Sequence, residues 1–98
     1  MPYDSKFKRA DIDELFEGIL SLKTVDECYR FFEDICTINE INSIAQRLQV
    51  AKMLDNKCTY KEIEQETKAS TATISRINKC LVYGADGYKI VLDNLAKK

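Results

Sequence analysis

Three times in 98 residues a Thr is followed three positions later by a Glu: Thr24-Val-Asp-Glu27, Thr37-Ile-Asn-Glu40 and Thr59-Tyr-Lys-Glu62. At this spacing the hydroxyl accepts a backbone N–H one turn ahead while the carboxylate reaches back to the N–H before it. Two of the donors that a helix start leaves unpaired are thereby satisfied. Each box fixes a helix start, and together they set the register of the chain. Apolar Ile12, Leu15, Phe16, Ile19 and Leu20 recur at helical spacing and predict a first helix over about 11–22. Thr24 opens a second, whose expected buried stripe is Val25, Cys28, Phe32, Ile35 and Cys36. Thr37 opens a third, to about Leu54, and Asp55-Asn56-Lys57-Cys58 breaks its period. Thr59 opens a short helix over 60–67, Lys68-Ala69-Ser70 forms a turn, and a fifth helix covers about 71–82. Gly84 is expected to cap it in the left-handed conformation, and a last helix covers about 87–96.

The composition agrees with packed helices. Hydrophobic residues are 45% and charged residues 32% of the chain, with three Gly and one Pro. The fold class is all-α. Residues 1–10 read as an N-terminal tail and 11–98 as a single helical domain: a dimerisation core over 11–54, a helix-turn-helix over 59–82 and a C-terminal helix over 87–96. The third helix carries Ile41, Ile44, Ala45, Leu48, Val50, Ala51, Met53 and Leu54 around much of its girth, which calls for burial from more than one side. In a chain near the size where one core is only marginally sufficient, a second protomer supplies that contact. No apolar run is long enough to cross a bilayer, and MPYDSKFKRA lacks the apolar stretch of a signal peptide, so a cytoplasmic location is expected.

Charge is unevenly distributed. The chain sums to −1, but residues 10–40 carry nine acids against Lys23 and Arg30, whereas residues 41–98 carry ten bases against six acids. The basic excess of the second half permits phosphate contact. Cys28, Cys36, Cys58 and Cys80 form no CxxC pair and the chain has no His, so neither a zinc site nor a haem attachment has its ligands. The thiols are expected to be reduced and to pack as small hydrophobes. No metal and no cofactor is called for. Without His, a Gly-rich phosphate loop or a nucleophile with a base, an enzyme is not expected.

The stretch TYKEIEQETKASTATISRINKCL has the layout of a DNA-reading helix-turn-helix: a short helix, a tight turn, and a second helix whose N-terminal end enters the major groove. Ile63, Ala69, Ile74 and Ile77 are placed to lock the two helices together. Ser70, Thr71, Ala72, Thr73, Ser75 and Arg76 are small or hydrogen-bonding, which lets a helix seat in a groove about 12 Å wide. Lys57, Lys61, Lys68 and Lys79 are candidate contacts to phosphate or, for Lys61, to a guanine edge. Glu64, where many such motifs have a small residue, and Lys68, where Gly is common, depart from the pattern. The alternative is a helical protein-interaction module whose contact surface is the acidic first half.

These residues resemble the tryptophan repressor superfamily, in particular its Trp-repressor-like YerC/YecD branch. The resemblance runs from about Asp11 to Leu95 and is carried by the helix from Thr37 to Leu54 with its Gln46-Arg47-Leu48, by Thr59-Tyr-Lys-Glu-Ile63 and by Ala72-Thr-Ile-Ser-Arg76. It implies a six-helix protomer, an intertwined homodimer, and transcriptional control, as a repressor, through double-stranded operator DNA. It also implies a ligand pocket at Thr37, Arg47, Arg76, Ile77 and Cys80, with Arg47 and Arg76 matching the two arginines that hold the corepressor's indole. Ile77 replaces a glycine that lies against that ring, and Cys80 a serine that contacts its amino group. A branched side chain fills volume the ring needs and a thiol is a weak hydrogen-bonding partner, so tryptophan is not the expected effector, and whether another small molecule serves is open.

Overall fold

The computed structural model describes residues 3–97, and among them are six helices and no strand: α1 Ala10–Leu20, α2 Val25–Ile35, α3 Ile38–Asp55, α4 Tyr60–Thr67, α5 Thr71–Tyr83 and α6 Gly87–Ala96. The chain is all-α, as its periodicities require. The caps explain most boundaries. At α4 the box is reciprocal: the Glu62 N–H donates to Thr59 Oγ1 at 3.2 Å and the Thr59 N–H donates to Glu62 Oε1 at 2.8 Å. Such a cap contributes about 1 kcal/mol. At α2 the Glu27 N–H donates to Thr24 Oγ1 at 3.1 Å, but the Glu27 carboxylate accepts from the Lys23 N–H at 2.7 Å, one residue earlier than expected. Ser70 caps α5 by accepting from the Thr73 N–H at 3.2 Å. α1 stops at Leu20, short of the expected Leu22, as its last turn tightens: the Ser21 N–H is shared with the Gly18 carbonyl and the Leu22 N–H bonds the Ile19 carbonyl, each three residues back.

Helix ends hold the surprises. Lys57, Lys68 and Asp86 sit in the left-handed region at φ 65°, 64° and 66°. After α3 the Cys58 N–H bonds the Met53 carbonyl and the Lys57 N–H bonds the Leu54 carbonyl, each at 3.0 Å, which is a Schellman closure with Lys in the place usually held by Gly. The left-handed residue costs about 1–2 kcal/mol, offset by these bonds and by Cys58 and Met53 packing on the core. Gly84 corrects an expectation: it caps α5 at φ −84°, ψ −156°, outside the left-handed region. Its requirement is proximity, since a Cβ there would stand 2.3 Å from the Cys80 carbonyl oxygen.

The sequence reads as one helical domain, whereas the chain forms two compact units that divide at the start of α3, one up to Ile38 and one from Asn39. In the first, neither α1 nor α2 has a buried residue. The stripe expected to be buried on α2 is not: Val25 is 73% and Ile35 52% exposed, Cys28 is exposed, and Phe32 and Cys36 are half-buried. On α1, Phe16 and Leu20 are likewise exposed. The periodicity is real, but among the described residues these faces remain largely exposed. Phe31 and Phe32 meet edge to face at 5.3 Å, and Lys8–Asp13, Arg9–Asp11 and Arg30–Asp26 are ion-paired at the surface.

In the second unit Val50 and Ala51 of α3, Ile63 of α4, Ala69 of the turn, Ile74, Ile77 and Leu81 of α5 and Leu92 of α6 form one core. Leu48, Met53, Leu54, Cys58, Tyr60 and Tyr88 pack around it. Ile63, Ile74 and Val50 are fully enclosed, each contributing about 1.5–3 kcal/mol by burial. The apolar girth of α3 is covered on one side only, since Ile44 stays half exposed. All four cysteines are free, but the expected burial is not found: Cys28 and Cys80 are exposed, Cys36 and Cys58 half-buried. No described helix is long and apolar enough to cross a membrane.

Candidate nucleic-acid interface

Four of the core residues, Ile63, Ala69, Ile74 and Ile77, are those the sequence assigned to locking α4 against α5, and all are buried. The turn between the helices is closed by side chains as well as by packing. The Thr67 hydroxyl donates to the Ile63 carbonyl at 2.7 Å and accepts from the Ala69 N–H at 3.2 Å. From α3, Gln46 donates to the Thr67 carbonyl at 3.0 Å. Lys68 stands in the left-handed region with its N–H on the Glu64 carbonyl at 2.9 Å, the backbone reason that Gly is common at this point of such motifs. α5 is therefore carried on a braced support.

Opposite its buried Ile74, Ile77 and Leu81, the 3.6-residue repeat puts Ala72, Ser75, Arg76 and Lys79 on one outward face of α5. Ala72, Arg76 and Lys79 are exposed and Ser75 is half-buried. Lys57, Lys61 and Lys68 are exposed as well, and none of these five cations is in an ion pair among the described residues. Ser70, Thr71 and Thr73 stand at the α5 N-terminus with hydrogen bonds of their own. Ser70 Oγ and Thr73 Oγ1 are 3.0 Å apart, and the Thr71 hydroxyl donates to Glu64 Oε1 at 3.1 Å. The sequence marked Glu64 only as a departure; here it joins α4 to the first residue of α5.

One flank of α5 borders a pocket of about 330 Å³ lined by Arg47, Thr73, Arg76, Ile77, Cys80 and Tyr88. Arg47, Arg76, Ile77 and Cys80 line this one pocket, while Thr37 belongs to the first unit. Ile77 is 4% exposed, its side chain given mainly to the core. Tyr88, half-buried on α6, was not anticipated. Burial holds its phenol above the usual value, Cys80 adds to the rise and Arg47 opposes it, so the hydroxyl stays protonated at neutral pH and can both donate and accept.

The Trp repressor protein family model matches residues 10–96, nearly the whole chain. The chain belongs to the Trp repressor family. It is 59% identical over 90 residues to the uncharacterized protein YerC of Bacillus subtilis (strain 168), covering 92% of this chain and 86% of that one. Among solved structures it is similar to a Staphylococcus aureus chain assigned as a Trp repressor, with TM-score 0.89 and 53% identity over 95% of this chain and 93% of that one. A TrpR-like protein from Eubacterium eligens matches with TM-score 0.89 and 56% identity over 93% and 94% of the two chains.

The Trp repressor family consists of regulatory DNA-binding proteins rather than enzymes. The roles of two residues were missed: Glu64, marked only as a departure, joins the two helices of the motif, and Tyr88 lines the pocket. For Glu64 a signal existed: it stands seven residues before Thr71, the distance from the last turn of one helix to the first of the next across a three-residue turn. For Tyr88 there was none, since α6 lies outside the motif and only packing brings it to the pocket.

Proposed function

We propose that this protein is a homodimeric regulator that binds double-stranded DNA sequence-specifically through α5 and acts as a repressor not governed by tryptophan. The observation that carries this reading is the outward face of α4 and α5, where Lys57, Lys61, Lys68, Arg76 and Lys79 are exposed and unpaired among the described residues, beside small Ala72 and Ser75. Unpaired cations on a rigid support suit phosphate, and short side chains let the helix approach base edges. Dimerisation is supported by the apolar faces of α1 and α2, with Phe16, Leu20, Val25 and Ile35 exposed in the single chain. Exposed apolar residues gathered on helix faces mark interaction sites. Independence from tryptophan rests on Ile77 and Cys80 in the pocket wall.

In vitro selection from random duplex DNA tests the proposal. The expected product is a palindrome with half-sites about 10 base pairs apart, one turn of the duplex, as a symmetric dimer requires. Failure to enrich any sequence would overturn DNA reading. Calorimetry with L-tryptophan should show no binding, and micromolar affinity would remove the claim of independence.

A further inference from the structure

Glu64 and Thr71 present an unusual chemical surface for the mouth of a DNA-reading helix. A carboxylate has no proton to give at neutral pH, so in the 3.1 Å bond between them the Thr71 hydroxyl must be the donor. That hydrogen is committed. What the pair offers outward is lone pairs alone: those left on Thr71 Oγ1, and those of the second Glu64 oxygen. Both residues are exposed, and Glu64 is in no ion pair among the described residues, even though Lys68 follows it by one turn. Thr71 is the first residue of α5, the end that enters the groove in this motif.

The four bases differ in how they meet an acceptor-only surface. Guanine shows two acceptors in the major groove, thymine an acceptor and a methyl, and adenine an acceptor beside its amino donor. Cytosine alone shows a donor and no acceptor on its own major-groove edge. We propose that Glu64 and Thr71 form one specificity element that reads the cytosine amino group, with Thr71 fixing the carboxylate's position. This rests on the DNA-binding reading given above. The same carboxylate repels phosphates, so it lowers affinity for unselected DNA while sharpening choice among sites.

The test is parallel selection from random duplex DNA with the wild type, Glu64→Gln, Glu64→Ala and Thr71→Val, together with the affinity of each for an unselected random duplex. All three substitutions are at exposed positions, and unchanged helicity and thermal midpoint establish that each variant is folded. The wild-type consensus should carry one cytosine per half-site preferred about tenfold over other bases. Glu64→Gln should shift that position toward adenine, whose amino and ring nitrogen suit an amide. Glu64→Ala should erase the preference there and raise affinity for the random duplex several-fold; Thr71→Val should weaken the preference at the same position. A palindrome whose every position is indifferent to Glu64, or a random-duplex affinity that falls in Glu64→Ala, overturns the pair while leaving DNA reading intact. No enrichment by the wild type overturns DNA reading and the pair with it.

Discussion

The two units of this chain use their residues in opposite ways. From Asn39 onward, four helices enclose a core, and among the described residues Lys57, Lys61, Lys68, Arg76 and Lys79 are exposed and in no ion pair. Up to Ile38, neither of two strongly patterned helices has a buried residue, and the ion pairs Lys8–Asp13, Arg9–Asp11 and Arg30–Asp26 lie there. Apolar faces left exposed among the described residues are what the proposed dimer would cover. Exposed cations left unpaired, even with acids such as Glu64 in the same helices, are available to an anionic partner. Exposed apolar faces in one unit and unpaired cations in the other are what the proposed DNA-binding dimer would use.

The contrast can be broken most forcefully in the second unit. Ile74→Ala removes a fully enclosed side chain and should cost about 2–5 kcal/mol. Urea denaturation at two protein concentrations should show this loss undiminished at both, because the contacts lie within one chain. A loss below about 1 kcal/mol would mean that the core is not where the burial puts it. Next in size, Phe16→Asp on α1, at a residue 56% exposed in the single chain, should weaken self-association about a hundredfold in sedimentation equilibrium. An unaltered association constant would exclude that face from the dimer. The smallest effect belongs to the paired charges of the first unit. Arg9 is the main reason that the Asp11 carboxyl titrates below its usual value, so the folded state favours the charged form. A depressed folded pKa contributes stability that is present above the unfolded value and is lost as pH falls below about 4. Asp11→Asn should flatten that acid limb only slightly, because Asp11 is fully exposed and solvent screens the pair. An acid midpoint moved by a full pH unit would show the pair to be more than a surface contact.

How much of this was legible follows from the range of each interaction. The capping box at Thr59 and Glu62 acts over three residues, so the start of α4 is written locally. The interlock of Ile63, Ala69, Ile74 and Ile77 spans one turn and was equally readable. Periodicity revealed the apolar faces of α1 and α2 but not what covers them, because amphipathicity states only that a face avoids water. Left-handed Lys57 was invisible, since neither Gly nor Asn stands there; Lys68 was marked only as a departure at a position where Gly is common, and Asp86, a type that tolerates this region, was not singled out. Gly84 was identified as a cap for a conformation it does not adopt; a close carbonyl leaves no trace in the neighbouring residue types. In the pocket, Arg47, Arg76, Ile77 and Cys80 came through family resemblance, whereas Tyr88 depended on the path of α6.

The central claim is that the unpaired cations of the second unit meet DNA phosphates. Its most direct measurement is the salt dependence of duplex binding, for the wild type beside Lys61→Ala in the second unit and Lys23→Ala in the first. Log affinity should fall steeply and linearly with log salt, by about 0.9 for each phosphate neutralised. Lys61→Ala should reduce that slope by roughly one and Lys23→Ala should leave it unchanged. A flat salt dependence, or a slope that responds to Lys23 and not to Lys61, would contradict the account.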